Sequence, residues 1–149
     1  MSAAHVELVR SARVAHLATA DATGVPHVVP ICFANDGDLF YLVLDSKPKR
    51  APLSKLKRVR NILSNPNVSL LLDYYDEDWA RLWYLLVRAT AEVIYQGTEH
   101  QRAIALLKEK YLQYRTMDIA GNPVIKITAS RASYWTGTPG QGDEGAKDK

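Results

Sequence analysis

Val14-Ala-His-Leu-Ala-Thr19, Asp21-Ala-Thr-Gly24, Pro26-His-Val-Val-Pro-Ile-Cys-Phe-Ala34, Asn35-Asp-Gly-Asp38 and Leu39-Phe-Tyr-Leu-Val-Leu-Asp45 follow one another along the chain, and their alternation decides the fold class. Apolar runs are separated by two short clusters of Asp, Asn, Thr and Gly. Such clusters make tight turns, because Gly supplies positive φ and Asp or Asn hydrogen-bonds the backbone that follows it. The reading is three strands, Val14–Thr19, Pro26–Ala34 and Leu39–Asp45, in an antiparallel meander. Pro30 has no amide hydrogen to give a neighbouring strand. The second run is therefore expected to lie at an edge, carry a bulge or border an opening.

Outward from this stretch, residues 3–12 predict a short helix with Ser2 as N-cap. Downstream, Pro52 suits the first turn of a helix over 53–64, which Asn65-Pro66 closes. At about 100° per residue, Leu53, Leu56, Val59, Ile62 and Leu63 share one side of that helix. Lys57 and Arg58 fall opposite, while Lys55 and Arg60 border the apolar stripe. Val68–Tyr75 and Leu82–Tyr95 read as strands joined by Asp76-Glu-Asp78, whose carboxylates are expected to be solvated turn residues. Thr98 as N-cap opens a helix over 99–114, and Pro123–Thr128 and Ala132–Thr136 close the set. Residues 1–136 form one domain, and 137–149, rich in Gly, Asp and Lys, are expected to be a disordered tail. Six to seven antiparallel strands with two or three helices make an α+β barrel. The strands over 68–75 and 82–95 are apolar on both faces. Either a second subunit covers one face or the barrel interior is thick, and the residues alone leave both open.

Seven of the fourteen residues from Lys47 to Arg60 are Lys or Arg, and none is acidic. They stand where a strand gives way to a helix, a junction at which fixed charge, backbone N–H groups and the helix start all favour a phosphate. A solvated basic helix face is the alternative. The net charge of +3 does not call for nucleic acid, and the aromatics are not interleaved with the basic run, so no nucleic-acid partner is expected. Cys32 is the only cysteine, which leaves no intrachain disulfide. No apolar run approaches the ~20 residues of a membrane span, and the chain reads as cytoplasmic with no membrane partner. His5, His16, His27, His100 and Cys32 lack zinc-ligand spacing, so no metal site is expected. Cys32, inside a strand-like run, reads as a buried structural thiol. Trp79, Trp83 and Tyr84 read as core or interface. His27, at a strand start facing the basic run, is a satisfied histidine or a ligand contact. With no nucleophile, metal or acid–base pair legible, either the protein is no enzyme or a bound cofactor carries the chemistry.

Ala15-His-Leu-Ala-Thr-Ala-Asp-Ala-Thr-Gly-Val-Pro-His-Val-Val-Pro-Ile31, Gly37-Asp-Leu-Phe-Tyr-Leu-Val-Leu-Asp-Ser-Lys-Pro-Lys-Arg50, Arg60-Asn-Ile-Leu-Ser-Asn-Pro-Asn-Val-Ser-Leu-Leu-Leu-Asp73 and the long strand with Ala91-Glu-Val93 occur in an order that resembles a known family. It is the split-barrel flavin-binding family related to pyridoxamine 5′-phosphate oxidase, and the likeness is to its branch of deazaflavin (coenzyme F-420)-dependent reductases. It spans residues 5–136. The resemblance implies a dimeric split β-barrel, a homodimer with two cofactor sites at the subunit interface. It implies phosphate contacts from His27, Ser46, Lys47 and Lys49, with Arg58 and Arg60 on the following helix. Backbone around Val28, Val29, Pro30 and Val43 would border the ring, and Trp83 and Tyr84 would come from the partner subunit. His27 stands where related oxidases place an arginine. Arg131-Ala-Ser-Tyr-Trp135 replaces their C-terminal Arg-x-His signature, so oxidation of pyridoxamine phosphate itself is not implied.

Flavin mononucleotide ends in one phosphate, which two or three charge-assisted contacts satisfy. The deazaflavin coenzyme adds a polyglutamate tail, which an extended basic track suits better. The expected function is hydride transfer from coenzyme F-420 to a small conjugated or quinone-like substrate. FMN-dependent oxidation, or flavin or tetrapyrrole binding without turnover, is the alternative.

Overall fold

The computed structural model describes residues 1–45 and 56–138. Ser46, Lys47, Lys49 and Lys55, the expected helix turn at Pro52, and the tail beyond Thr138 lie outside the described residues. Helix α1 (Ala3–Ser11) starts as the sequence predicts, with Ser2 Oγ accepting from the His5 amide at 3.2 Å. Seven strands follow: β1 (Ala15–Ala20), β2 (Pro26–Ile31), β3 (Ala34–Asp36), β4 (Leu39–Val43), β5 (Asn67–Tyr74), β6 (Trp83–Ile94) and β7 (Val124–Thr136). Helices α2 (Lys57–Ser64) and α3 (Thr98–Lys110) complete an α+β fold. All strand pairs are antiparallel, in the order β2-β1-β5-β6-β7-β4-β3.

The expected meander is corrected. The run over 26–34 breaks at Cys32-Phe33, and its two halves serve opposite ends of the sheet. β2 pairs with β1, while β3 pairs with β4 around the two-residue turn Gly37-Asp38. Gly37 has φ +59, the conformation a tight hairpin turn requires of its first residue. Pro30 lies on the edge strand β2, where its missing amide hydrogen costs least. The break is held by Tyr111, whose hydroxyl accepts from the Phe33 amide at 3.0 Å and also lies 3.0 Å from the Phe33 carbonyl oxygen. Cys32, outside both strands, is exposed and not the buried thiol that an unbroken strand implied.

The two closing strands are one. β7 pairs with β6 along its whole length, with Ser130 as the extra residue of a bulge opposite Arg88 and Ala89. Ser130 Oγ donates to the Arg88 carbonyl at 2.9 Å, so the bulge leaves that acceptor satisfied. Gly97 rather than Thr98 caps α3, with φ +107. The helix ends at Lys110 and passes into a single 3-10 turn, Leu112–Thr116.

Strand alternation divides the sheet into two faces. Ala15, Leu17, Leu70, Leu72, Leu85 and Val87 are buried on the inner one, closed by Val59 and Ile62 of α2. Burying each of those two aliphatic side chains stabilises by about 1.5–3 kcal/mol. A second cluster sets Ala103, Ile104 and Leu107 of α3 against Tyr41, Val43 and Val124. At the β4–β7 end α3 covers the outer face through Tyr41, Val43 and Val124; the remainder of that face carries Val28, Leu71, Leu86 and a stacked Tyr84–Trp135 pair, none of them in either core cluster.

Candidate functional site

The site is built where β1, β2 and the start of α2 meet. In the β1–β2 register His27 lies directly opposite Thr19, so both side chains share the inner face. Thr19 is buried and its Oγ1 accepts from Asn61 Nδ2 at 3.0 Å, tying α2 to β1. Arg58 precedes Asn61 by three residues and therefore lies next to it on the same side of the helix. A line of four polar side chains thus runs His27, Thr19, Asn61, Arg58.

Its two ends are left without partners. His27 Nδ1 and Arg58 Nε are both buried and have no hydrogen-bond partner among the described residues. Burial lowers the pKa of the Arg58 guanidinium, while the nearby Asp45 carboxylate acts the other way. Asp45 is held by the Tyr114 hydroxyl at 2.8 Å. Lys57 faces Asp21 at 3.8 Å. That carboxylate already accepts from the Thr23 hydroxyl and the Val25 amide, which hold its pKa below the usual range.

The start of α2 is itself unusual. Its N-cap is Leu56, which offers no side-chain acceptor, and its first turn contains no acidic residue. The first intrahelical bond is from the Arg60 amide to the Leu56 carbonyl at 3.1 Å. The amides of Lys57, Arg58 and Val59 thus have no acceptor within the helix. Lys57, Arg58 and Arg60 add positive charge at the positive end of the helix dipole, which opposes helix formation in the absence of an anion.

The structure brings some expected site residues together and separates others. His27 faces Thr19 across the β1–β2 pair, and Arg58 stands one turn before Asn61, which bonds Thr19. Arg60 is exposed and Arg58 is the inward one, the reverse of the expected placement. The helix begins at Lys57 and its buried side is Val59, Asn61 and Ile62, so Leu63, assigned to the apolar stripe, is 65% exposed. Val28 and Pro30 face outward from the edge strand, while Val29 turns inward with His27. Val43 is buried under α3, but β3 stops pairing at Tyr41, so the backbone of β4 beyond it has no strand on that side. Trp83 packs on the inner core and Tyr84 stacks outside on Trp135, so the two cannot act together on one face of this chain. Asp76 and Asp78 organise their turn, accepting respectively from the Tyr74 hydroxyl at 2.9 Å and the Ala80 amide at 3.2 Å. Sequence reading missed Thr19, Asn61 and Asp45; the Thr19–Asn61 bond joins residues 42 positions apart, which no local pattern pairs. Among the described residues no group of three or more His, Cys, Asp or Glu is placed to hold a metal ion, and no helix is long and apolar enough to cross a membrane.

A family model described as pyridoxamine 5′-phosphate oxidase matches residues 1–136. No curated protein matches the chain. Among solved structures, a conserved hypothetical protein from Mycobacterium tuberculosis is 22% identical with a TM-score of 0.74, covering 92% of this chain and 86% of that one. HutZ, the heme storage protein from Vibrio cholerae, is 17% identical with a TM-score of 0.66, covering 90% and 93%. A FAD-binding protein from Mesorhizobium loti is 21% identical with a TM-score of 0.65, covering 90% and 94%. These similarities establish the fold.

Proposed function

The chain belongs to the pyridoxamine 5′-phosphate oxidase family, and from that premise we propose that it is a homodimeric oxidoreductase that binds a flavin-type cofactor by its phosphate at the β2–α2 corner. One observation carries the reading: two desolvated nitrogens without partners, His27 Nδ1 and Arg58 Nε, beside a helix start that has neither cap nor carboxylate. A phosphate supplies acceptors to both and an anion to the dipole, so the residues present fit the group. Ser46, Lys47 and Lys49 would join from the segment leading into α2, and Arg60 would serve a longer polyanion. The backbone around Val28, Val29, Pro30 and Val43 would border the ring, and Trp83 and Tyr84 would line pockets on the two sides of the sheet. Coenzyme F-420 is the proposed cofactor because the basic run exceeds what one phosphate needs; FMN is the alternative. When bound, the cofactor supplies hydride transfer to a small conjugated or quinone-like acceptor. The chain's own part is to bind the anionic end, hold the ring against β2 and exclude water.

The outer sheet face supports the dimer. Val28 is 60% exposed there, and Pro30, Leu71 and Leu86 lie on the same face, the apolar side chains a second subunit would cover. Similarity in fold to a heme storage protein supports a second reading, tetrapyrrole binding without turnover. Parallel equilibrium titrations with FMN, coenzyme F-420 and heme decide among the three. Arg58→Ala and Lys49→Ala are each expected to weaken cofactor binding at least tenfold, about 1.4 kcal/mol. Unchanged affinity in Arg58→Ala rejects the corner as the phosphate site, and heme as the one ligand bound rejects the oxidoreductase.

A further inference from the structure

Away from the β2–α2 corner, a cavity of about 490 Å³ opens between α1, the β3–β4 hairpin and the C-terminal half of α3. Four cationic side chains line it, Arg10, Arg13, Arg102 and Lys110, against two carboxylates, Asp36 and Glu109. Two of the cations are already engaged. Arg102 donates through Nε and Nη2 to Asp36 Oδ2 at 3.2 and 3.0 Å, and Arg10 lies 3.8 Å from Glu7.

Arg13 and Lys110 have no carboxylate. The Arg13 guanidinium carbon sits 4.8 Å from the centre of the Tyr111 ring, with one N–H donated to the Lys110 carbonyl at 2.9 Å. The Lys110 ammonium lies 3.9 Å from the centre of Phe33 and 5.4 Å from that of Tyr111. It is buried and has no hydrogen-bond partner among the described residues. Burial, and secondarily the charge of Arg13, push its pKa down to about 8.

This arrangement costs stability. The ammonium's place over an aromatic ring and at the C-terminal end of α3 offsets part of the cost of burial. A buried charged donor left unpaired costs more than a neutral one, and a like charge beside it adds to that. A methionine would fill the same space with no such penalty. Two cations at an aromatic wall beside a metabolite-sized cavity form a site whose missing component is an anion.

We propose that this cavity binds a small oxyanion-bearing metabolite, with Arg13 and Lys110 of its lining as the charge partners. The ammonium reaches the ligand by turning the end of its four-carbon stem, exchanging a ring face for acceptors. The site is separate from the β2–α2 corner and stands whether or not that corner binds a flavin.

The test is an amide chemical-shift titration of the full chain with sodium phosphate and, separately, sodium malonate. Saturable shifts on Arg13, Phe33, Lys110 and Tyr111 are expected, and the probe that saturates first identifies the oxyanion as phosphate or carboxylate. Lys110→Met and Arg13→Gln are each expected to weaken that binding tenfold or more while shifts at His27 and Arg58 persist. The proposal is overturned by shifts confined to His27 and Lys57–Arg60, by unchanged affinity in both variants, or by no saturation with either probe at about 100 mM. Lys110→Met is also expected to melt at a higher temperature than the parent chain. A lower one assigns the ammonium a structural role and overturns the proposal as well.

Discussion

His27, Arg58 and Gly137 each show what a single position contributes. For the first two it is a buried polar atom with no hydrogen-bond partner among the described residues, the observation on which the proposed phosphate contact rests. Gly137 is different. Its amide donates to the Leu82 carbonyl at 2.9 Å, and a Cβ there would stand 1.9 Å from the Trp79 carbonyl oxygen. The obstacle is backbone, so no side-chain rotation relieves it. Gly137→Ala is expected to destabilise by about 1–3 kcal/mol, read as a lower urea midpoint at constant slope; an unchanged midpoint would show that the turn over Trp79–Leu82 yields freely. Thr138 hydroxyl also bonds the Ala80 carbonyl. Two residues expected in the tail therefore belong to the fold, a close approach that composition alone does not reveal.

Among the elements, a charged cluster ties α3 to β4 and β7, in addition to the Arg102–Asp36 pair with β3. Glu99 accepts from the Tyr41 hydroxyl on β4 at 2.7 Å and from Lys126 on β7 at 3.1 Å. The Tyr41 bond and then the Lys126 bond hold the Glu99 pKa below its ordinary 4.5. A carboxylate depressed on folding contributes stability that is complete well above the unfolded pKa and lost as pH falls through the folded one. Glu99→Gln is therefore expected to lower Tm at pH 7 by about 2–4 °C, with the gap closing on acidification below 4.5. Thermal melts across pH 3 to 7 check it, and a gap constant throughout would assign the effect to shape and not charge. The elements themselves were largely readable: Ser2, the Asp21 and Asn35–Asp38 turns and the apolar runs of β1 and β5 carry local signals. The break at Cys32-Phe33 was not. Its cause is the distant Tyr111, and no local pattern announces a hydroxyl supplied from 78 residues away.

For the whole molecule, the proposed dimer draws on the outer sheet face, where Val28 is 60% exposed. Leu86→Arg, in the middle of β6 on that face, is expected to yield a monomer by sedimentation and to weaken cofactor binding along with it. A Leu86→Arg chain that stays dimeric would move the interface elsewhere.

Local chemistry by itself determined most of the strands and helices, the α+β class and the basic run leading into α2, because turn residues, side-chain periodicity and charge act over a few neighbours. Only the tertiary structure decided which residues of that run turn inward. It left Arg58 half-buried and Arg60 toward water, opened the second strand into two, and tied Asn61 of α2 to Thr19, the residue opposite His27. Those outcomes depend on how a two-turn helix docks on a twisted sheet, and docking is settled by packing between segments far apart in the chain.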